Sequence, residues 1–141
     1  MKPTLATATE TFRLTLHGYW RNTSLETYPS YPGVFFVFEA KKNYGRVIPL
    51  KLLYVGEAED VGKEISGLLE ENNMLKHYIR EANTVCFITA QVPEQRERVQ
   101  AAYVYAHKPP ANRRYKYVFP FHPTRIASQG VLTFMKDDFT V

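Results

Sequence analysis

Hydrophobic and polar positions change period several times along this chain, and each change marks an element. Residues 1–10 are short of large apolar side chains and read as a frayed end. Phe12, Leu14 and Leu16 then alternate with Arg13, Thr15 and His17, a period-2 strand with one face in the core. Residues 21–32, with Asn22, Ser24, Pro29, Ser30 and Pro32, read as a loop that ends at Gly33. Val34-Phe35-Phe36-Val37-Phe38 is continuously apolar and suits a strand buried on both faces. Lys41 to Gly45 reads as a turn, with Asn43 and Gly45 available for left-handed positions. A second apolar run, Val47 to Val55, completes a hairpin, with Pro49 near its start, where a missing ladder donor matters least.

Past the hairpin the period becomes helical. Asp60 is placed to cap a helix whose Val61, Ile65, Leu68 and Leu69 form one stripe. Asn72 or Asn73 starts a shorter helix carrying Leu75, Tyr78 and Ile79. Thr84 to Val92 is strand-like. Pro93 fits the first turn of a further helix, with Val99, Ala102, Tyr103 and Ala106 facing inward and Pro109-Pro110 as its stop. A basic loop, the apolar Tyr117-Val118-Phe119, and a last strand near Val131 to Phe134 follow. The order β-β-β-α-α-β-α-β predicts an α+β fold: a small central sheet, one layer deep, flanked by helices.

Length agrees with one domain over residues 1–141, large enough for a core without staples. Cys86 is the one cysteine, which excludes a disulfide framework and a cysteine zinc site; in a buried strand it is expected to be inert. His17, His77, His107 and His122 have no ligand spacing. No run is long enough to span a membrane and no signal peptide is recognisable at Met1, so a soluble, cytoplasmic protein is expected, and Asn22-Thr23-Ser24 reads as a chance sequon. The net charge of +4 is unevenly spread. Glu57, Glu59, Asp60, Glu64, Glu70 and Glu71 face a single base, Lys63, in one segment. Arg98, Lys108, Arg113, Arg114, Lys116 and Arg125 follow without an intervening acid. Any polyanionic partner belongs to the later segment.

Gly33-Val34-Phe35 opens the first hairpin strand, and Tyr54-Val55-Gly56-Glu57-Ala58-Glu59-Asp60-Val61 closes the second and leads into a helix. This arrangement resembles the GIY-YIG nuclease superfamily. The order of hairpin, helices, third strand and long helix fits that family's core over residues 33 to about 112, with an added N-terminal strand and a C-terminal extension. The resemblance implies a metal-dependent phosphodiesterase. Its parts are a tyrosine on each hairpin strand, an arginine on the first helix, a metal-binding glutamate on the long helix and an asparagine beyond it. A guanidinium would stabilise the charge gathering on a scissile phosphate. A carboxylate would hold a hard divalent cation, and a tyrosine would orient or deprotonate water.

Carried onto this chain, the second tyrosine is retained as Tyr54 and the asparagine as Asn112. The first tyrosine is replaced by Phe35, which has no hydroxyl. The arginine position holds Glu64, a reversal of charge. The metal glutamate position holds Gln100, whose neutral amide is a poor cation ligand. Glu97, one turn before Gln100, and Lys63, beside Glu64, are the available replacements for the carboxylate and the cation. Each residue also has a plain structural reading: Phe35 as core, Tyr54 as a packed strand end, Glu64 and Gln100 as polar helix positions, Asn112 as a turn former.

Three functions follow. The first is a catalytically degenerate GIY-YIG-like domain, without metal, that binds DNA or RNA or a partner without cleaving. His107, Lys108, Arg113, Arg114 and Lys116 would meet phosphates, and Tyr115 and Tyr117 would meet bases. The second is an active endonuclease with a rearranged site, using Tyr54, Lys63, Asn112 and Mg²⁺ on Glu97. The third is a protein-interaction module, in which the acidic and basic segments pair with a protein partner or in a homo-oligomer.

Overall fold

In the computed structural model, which describes residues 8–22, 27–71, 75–79, 84–132 and 134–141, the apolar run at 34–38 is the centre of a strand buried on both faces. The described elements are β1 (Glu10–Arg21), β2 (Gly33–Asn43), β3 (Arg46–Ala58), α1 (Val61–Glu71), a 3₁₀ turn (Leu75–His77), β4 (Thr84–Gln91), α2 (Arg96–His107), β5 (Thr124–Gly130) and β6 (Asp138–Thr140). The strands form one six-stranded sheet in the order β3-β2-β4-β1-β5-β6. The fold is mixed α+β.

Strand alternation assigns the two faces. Val34, Phe36 and Phe38 of β2 pack with Cys86, Ile88 and Ala90 of β4 and with Val99, Ala102 and Tyr103 of α2. Phe35 and Val37 pack with Val85 and Phe87 of β4 and with Val61 and Ile65 of α1. One helix therefore covers each face, and this is why β2 shows no polar alternation. Each fully buried Val or Phe contributes about 1.5–3 kcal/mol of transfer free energy, so β2 is the thermodynamic centre of the sheet. Among the described residues no helix is long and apolar enough to cross a membrane.

β1 is longer than its alternating stretch because it has two partners in succession. Glu10–Leu16 runs parallel to Thr124–Gly130 of β5, and Leu16–Arg21 runs antiparallel to β4. The hairpin turn falls on Tyr44 and Gly45, both at positive φ, while Asn43 stays paired with Arg46. Asp60 caps α1 as its chemistry predicts: the Lys63 amide donates to Oδ1 at 3.1 Å and Ser30 Oγ to Oδ2 at 2.9 Å. Those bonds hold the Asp60 carboxyl below its usual range.

Several expected elements differ. The short helix after α1 is a 3₁₀ turn anchored by buried Leu75; Asn72 and Asn73 lie outside the described residues. α2 starts at Arg96 rather than at Pro93, after Gln95 in a left-handed conformation. Tyr117-Val118-Phe119 is not a strand: Tyr117 and Val118 are exposed and Phe119 packs its ring on Tyr105 at 6.1 Å. The strand expected at Val131–Phe134 is replaced by β5 before it and β6 after it. Val131 only ends the β1–β5 register, its amide donating to Leu16 O at 3.1 Å. β5 carries few large apolar groups, so its pairing rests on a backbone ladder to β1 that no local pattern announces.

The C-terminal segment docks on α2 through His107. The Lys136 amide donates to His107 Nε2 at 2.9 Å, which places the ring proton on Nδ1, 3.0 Å from Tyr103 O. The ring stacks on Tyr103 and meets the Phe139 ring edge-on. Burial first, then the Lys136 charge, push the His107 pKa below its ordinary 6.5, partly offset by the Tyr103 bond. Between that lowered value and 6.5 the unfolded chain holds a proton the folded one does not. Stability is therefore full above pH 6.5 and falls as pH drops through this window. Urea unfolding at pH 7.5 and pH 5.5 is expected to show a larger loss for the wild type than for His107→Gln.

Gly56 faces Phe35 across the hairpin, and a Cβ there would lie 2.2 Å from the Phe35 ring. Gly56→Ala is expected to lower the unfolding free energy by about 1–3 kcal/mol through overpacking. Gly67→Ala, in α1 with open space at its Cβ, is expected to raise it by about 0.5–1 kcal/mol. Denaturant titration of both variants reads the contrast.

Candidate functional site

Of the positions that carry the resemblance, Tyr54, Gln100 and Asn112 meet along the open edge of the sheet, with Phe35 on β2 and Glu64 on α1 beside them. β3 has β2 on one side only, so the N–H and C=O of its edge-facing residues need other partners. α2 ends at His107 with Lys108 as its cap, and Pro109-Pro110 turn the chain back along this edge. The Ala111 amide donates to Leu53 O at 2.9 Å. The buried side chain of Asn112 takes the next position. Its Oδ1 accepts the Val55 N–H at 2.9 Å and its Nδ2 donates to Val55 O at 2.9 Å. Gln100, from α2, donates its Nε2 to the same Val55 carbonyl at 3.1 Å. Asn112 thus continues the ladder with a side-chain amide, and Gln100 completes it.

Phe35 and Tyr54 meet beside this seam on the α1 side, ring centroids 6.1 Å apart. Phe35 is fully buried and Tyr54 half-buried. Burial raises the Tyr54 pKa, and the charges of Glu64 and Glu57 raise it further. Both effects favour the protonated phenol. Glu64 is exposed on α1, close enough for its charge to act on that hydroxyl.

The two replacement residues do not join this group. Glu97 accepts a hydrogen bond from the Tyr115 hydroxyl and lies 3.5 Å from Arg114 Nη2, so the basic loop engages it. Lys63 lines a groove between α1 and residues 27–30, with Ser30, Asp60 and Glu70. Among the described residues no group of three or more His, Cys, Asp or Glu is placed to hold a metal ion. Burial pushes the Cys86 thiol up to about 12.

The basic run divides in two. Arg98 is internal: it donates to Thr124 Oγ1 at 2.8 Å, to Pro123 O at 3.1 Å and to Glu10, and lies over the Phe12 ring at 5.3 Å. It ties α2 to the starts of β1 and β5. Arg125 pairs with Asp138. The remaining four cations lie around the loop after α2. Lys108 Nζ donates to Tyr105 O and Lys116 O, and Lys116 Nζ to Pro110 O at 3.3 Å. These acceptors are neutral carbonyls, so both ammonium charges stay uncompensated. Arg113 is exposed, with no hydrogen bond or ion pair to any described residue.

Arg96 and Glu57 belong to the same region and do not stand out in the sequence. Arg96 Nε and Glu57 Oε2 pair at 3.1 Å, linking the end of β3 to the first turn of α2. Glu57 also acts on both Tyr54 and Tyr115 by its charge. Their signal is position alone, one directly after Tyr-Val-Gly and one at a helix start. No protein-family model, no curated protein and no solved structure matches this chain.

The shared carbonyl makes a graded expectation. Asn112→Ala leaves the Val55 N–H without its acceptor and is expected to cost about 1–3 kcal/mol of stability. Gln100→Ala leaves Asn112 on Val55 O and is expected to cost about 0.5–1.5 kcal/mol. Equal losses in urea titrations would contradict this division of labour.

Proposed function

We propose that this chain is a GIY-YIG-like domain that holds nucleic acid without cutting it. The observation that carries the reading is the use made of the long-helix position and the asparagine. Gln100 and Asn112 both close on the backbone of Val55, leaving a neutral amide network where the resemblance calls for a cation-binding carboxylate. Glu64 supports the same conclusion. It places negative charge by Tyr54 where a phosphate in transit would need a guanidinium. The chain order also agrees with the resemblance. The β2–β3 hairpin is followed by α1, then by β4 paired to β2, then by α2.

The binding half of the proposal rests on the loop after α2. Lys108, Arg113, Arg114 and Lys116 stand within one short stretch, with Glu97 engaging only Arg114 and the phenol of Tyr115. Such a surface attracts phosphates and releases their counterions, so its affinity falls as salt rises.

Labelled single- and double-stranded DNA and RNA, incubated with the purified protein in Mg²⁺, Mn²⁺ or EDTA, test both halves. The expected result is intact nucleic acid in every lane and a mobility shift that weakens at higher salt. Metal-dependent cleavage that disappears in Tyr54→Phe would overturn the non-cleaving half. Absence of a shift in every lane would overturn the binding half.

A further inference from the structure

We infer that the loop after α2 is a stacking track for a single strand of nucleic acid, a refinement that rests on the binding reading above. Ring–cation and ring–ring contacts form one unbroken row there, beginning at Tyr105 on the last turn of α2. Tyr117 lies 5.3 Å from Lys108 Nζ, which lies 4.4 Å from the Tyr105 ring. Tyr105 meets Phe119 at 6.1 Å, Phe119 meets Phe121 at 5.4 Å and Phe121 meets Tyr115 at 6.0 Å. Arg114 closes the track, 4.7 Å over Tyr115. The row therefore has a cation near each end and aromatic surface between.

Two features select one strand over a duplex. Tyr117 is 79% exposed and Val118 beside it 67% exposed. A large aromatic ring this open to water gains from a flat apolar partner, and a duplex keeps its base faces stacked inside while an unpaired strand offers them. Acids also interrupt the positive surface. Glu97 engages Arg114, and Glu57 holds Arg96. Acids thus border the track on its α2 side, which suits one line of phosphates. The arrangement carries no hydrogen-bond code for particular bases, so the track accepts DNA and RNA alike.

Fluorescence anisotropy of the full chain decides it, with a labelled oligo-dT, a labelled oligo-rU and a duplex of equal length, each at two salt concentrations. Both single strands are expected to bind more tightly than the duplex. Tyr117→Ala, at an exposed position, is expected to weaken single-strand binding by about fivefold or more, while Tyr117→Phe keeps it. Arg113→Ala is expected to reduce the salt slope for single strands by about 0.7. A duplex bound as tightly as the single strands overturns the track and leaves the broader binding reading standing. No binding to any of the three overturns both. Single-strand binding untouched by Tyr117→Ala overturns the stacking role, and displacement of the oligonucleotide by polyglutamate at matched charge assigns the loop to an acidic protein instead.

Discussion

A strand at the edge of a sheet presents backbone N–H and C=O groups that no neighbouring strand satisfies, and the organisation of this protein turns on how β3 meets that demand at Val55. Water or a further strand would serve. Instead the chain leaving α2 returns along the edge, where the Asn112 amide takes both the N–H and the C=O of Val55 and Gln100 donates to the same C=O. Among the described residues every buried side-chain nitrogen and oxygen has a hydrogen-bond partner. This closure fixes the end of α2, the path of residues 109–112 and the start of the basic loop. The row of ring contacts after α2 follows directly from the same anchor.

The edge also gathers the charges. Glu57 leaves β3, Glu64 rises from α1, and Arg96 and Glu97 come from the first turn of α2. Their pairings are mutual: Arg96 with Glu57, Arg114 and Tyr115 with Glu97. The carboxylates hold the Tyr54 and Tyr115 phenols protonated beyond their ordinary range, on top of burial. A site so arranged donates hydrogen bonds and carries cations on its rim.

Much of the fold is legible because its signals are local. The apolar run at 34–38 has one physical solution, burial on two faces. Asp60 names its own helix through cap chemistry, and Pro109-Pro110 end α2 by removing donors. The less legible parts depend on partners distant in the chain. β5 takes its place from a parallel ladder with β1, set by backbone groups every residue shares, and the apolar side chains at 131–134 suggest a strand one segment too late. At the site, the presence of Asn112 and Gln100 is plain in the sequence, but their meeting on one carbonyl is not. Local reading allows Asn112 a turn and Gln100 a polar helix face. The structure sends both to an edge strand more than forty residues away in the chain.

The amino-acid sequence by itself determined the class of fold, the hairpin, the two helices and the charge asymmetry between the acidic and basic segments. Those follow from side-chain period, capping groups and composition, which act over a few residues. Tertiary structure alone decided which cations stay available. Arg98 is drawn inward to Glu10 and Thr124, Arg125 pairs with Asp138 at the surface and Arg114 with Glu97, and Lys108, Arg113 and Lys116 remain beside a row of tilted rings. A charge in a sequence is only a formal count. Whether it meets a carboxylate, a carbonyl or open solvent depends on what the fold brings within a few ångströms, where Coulomb interactions and desolvation take effect.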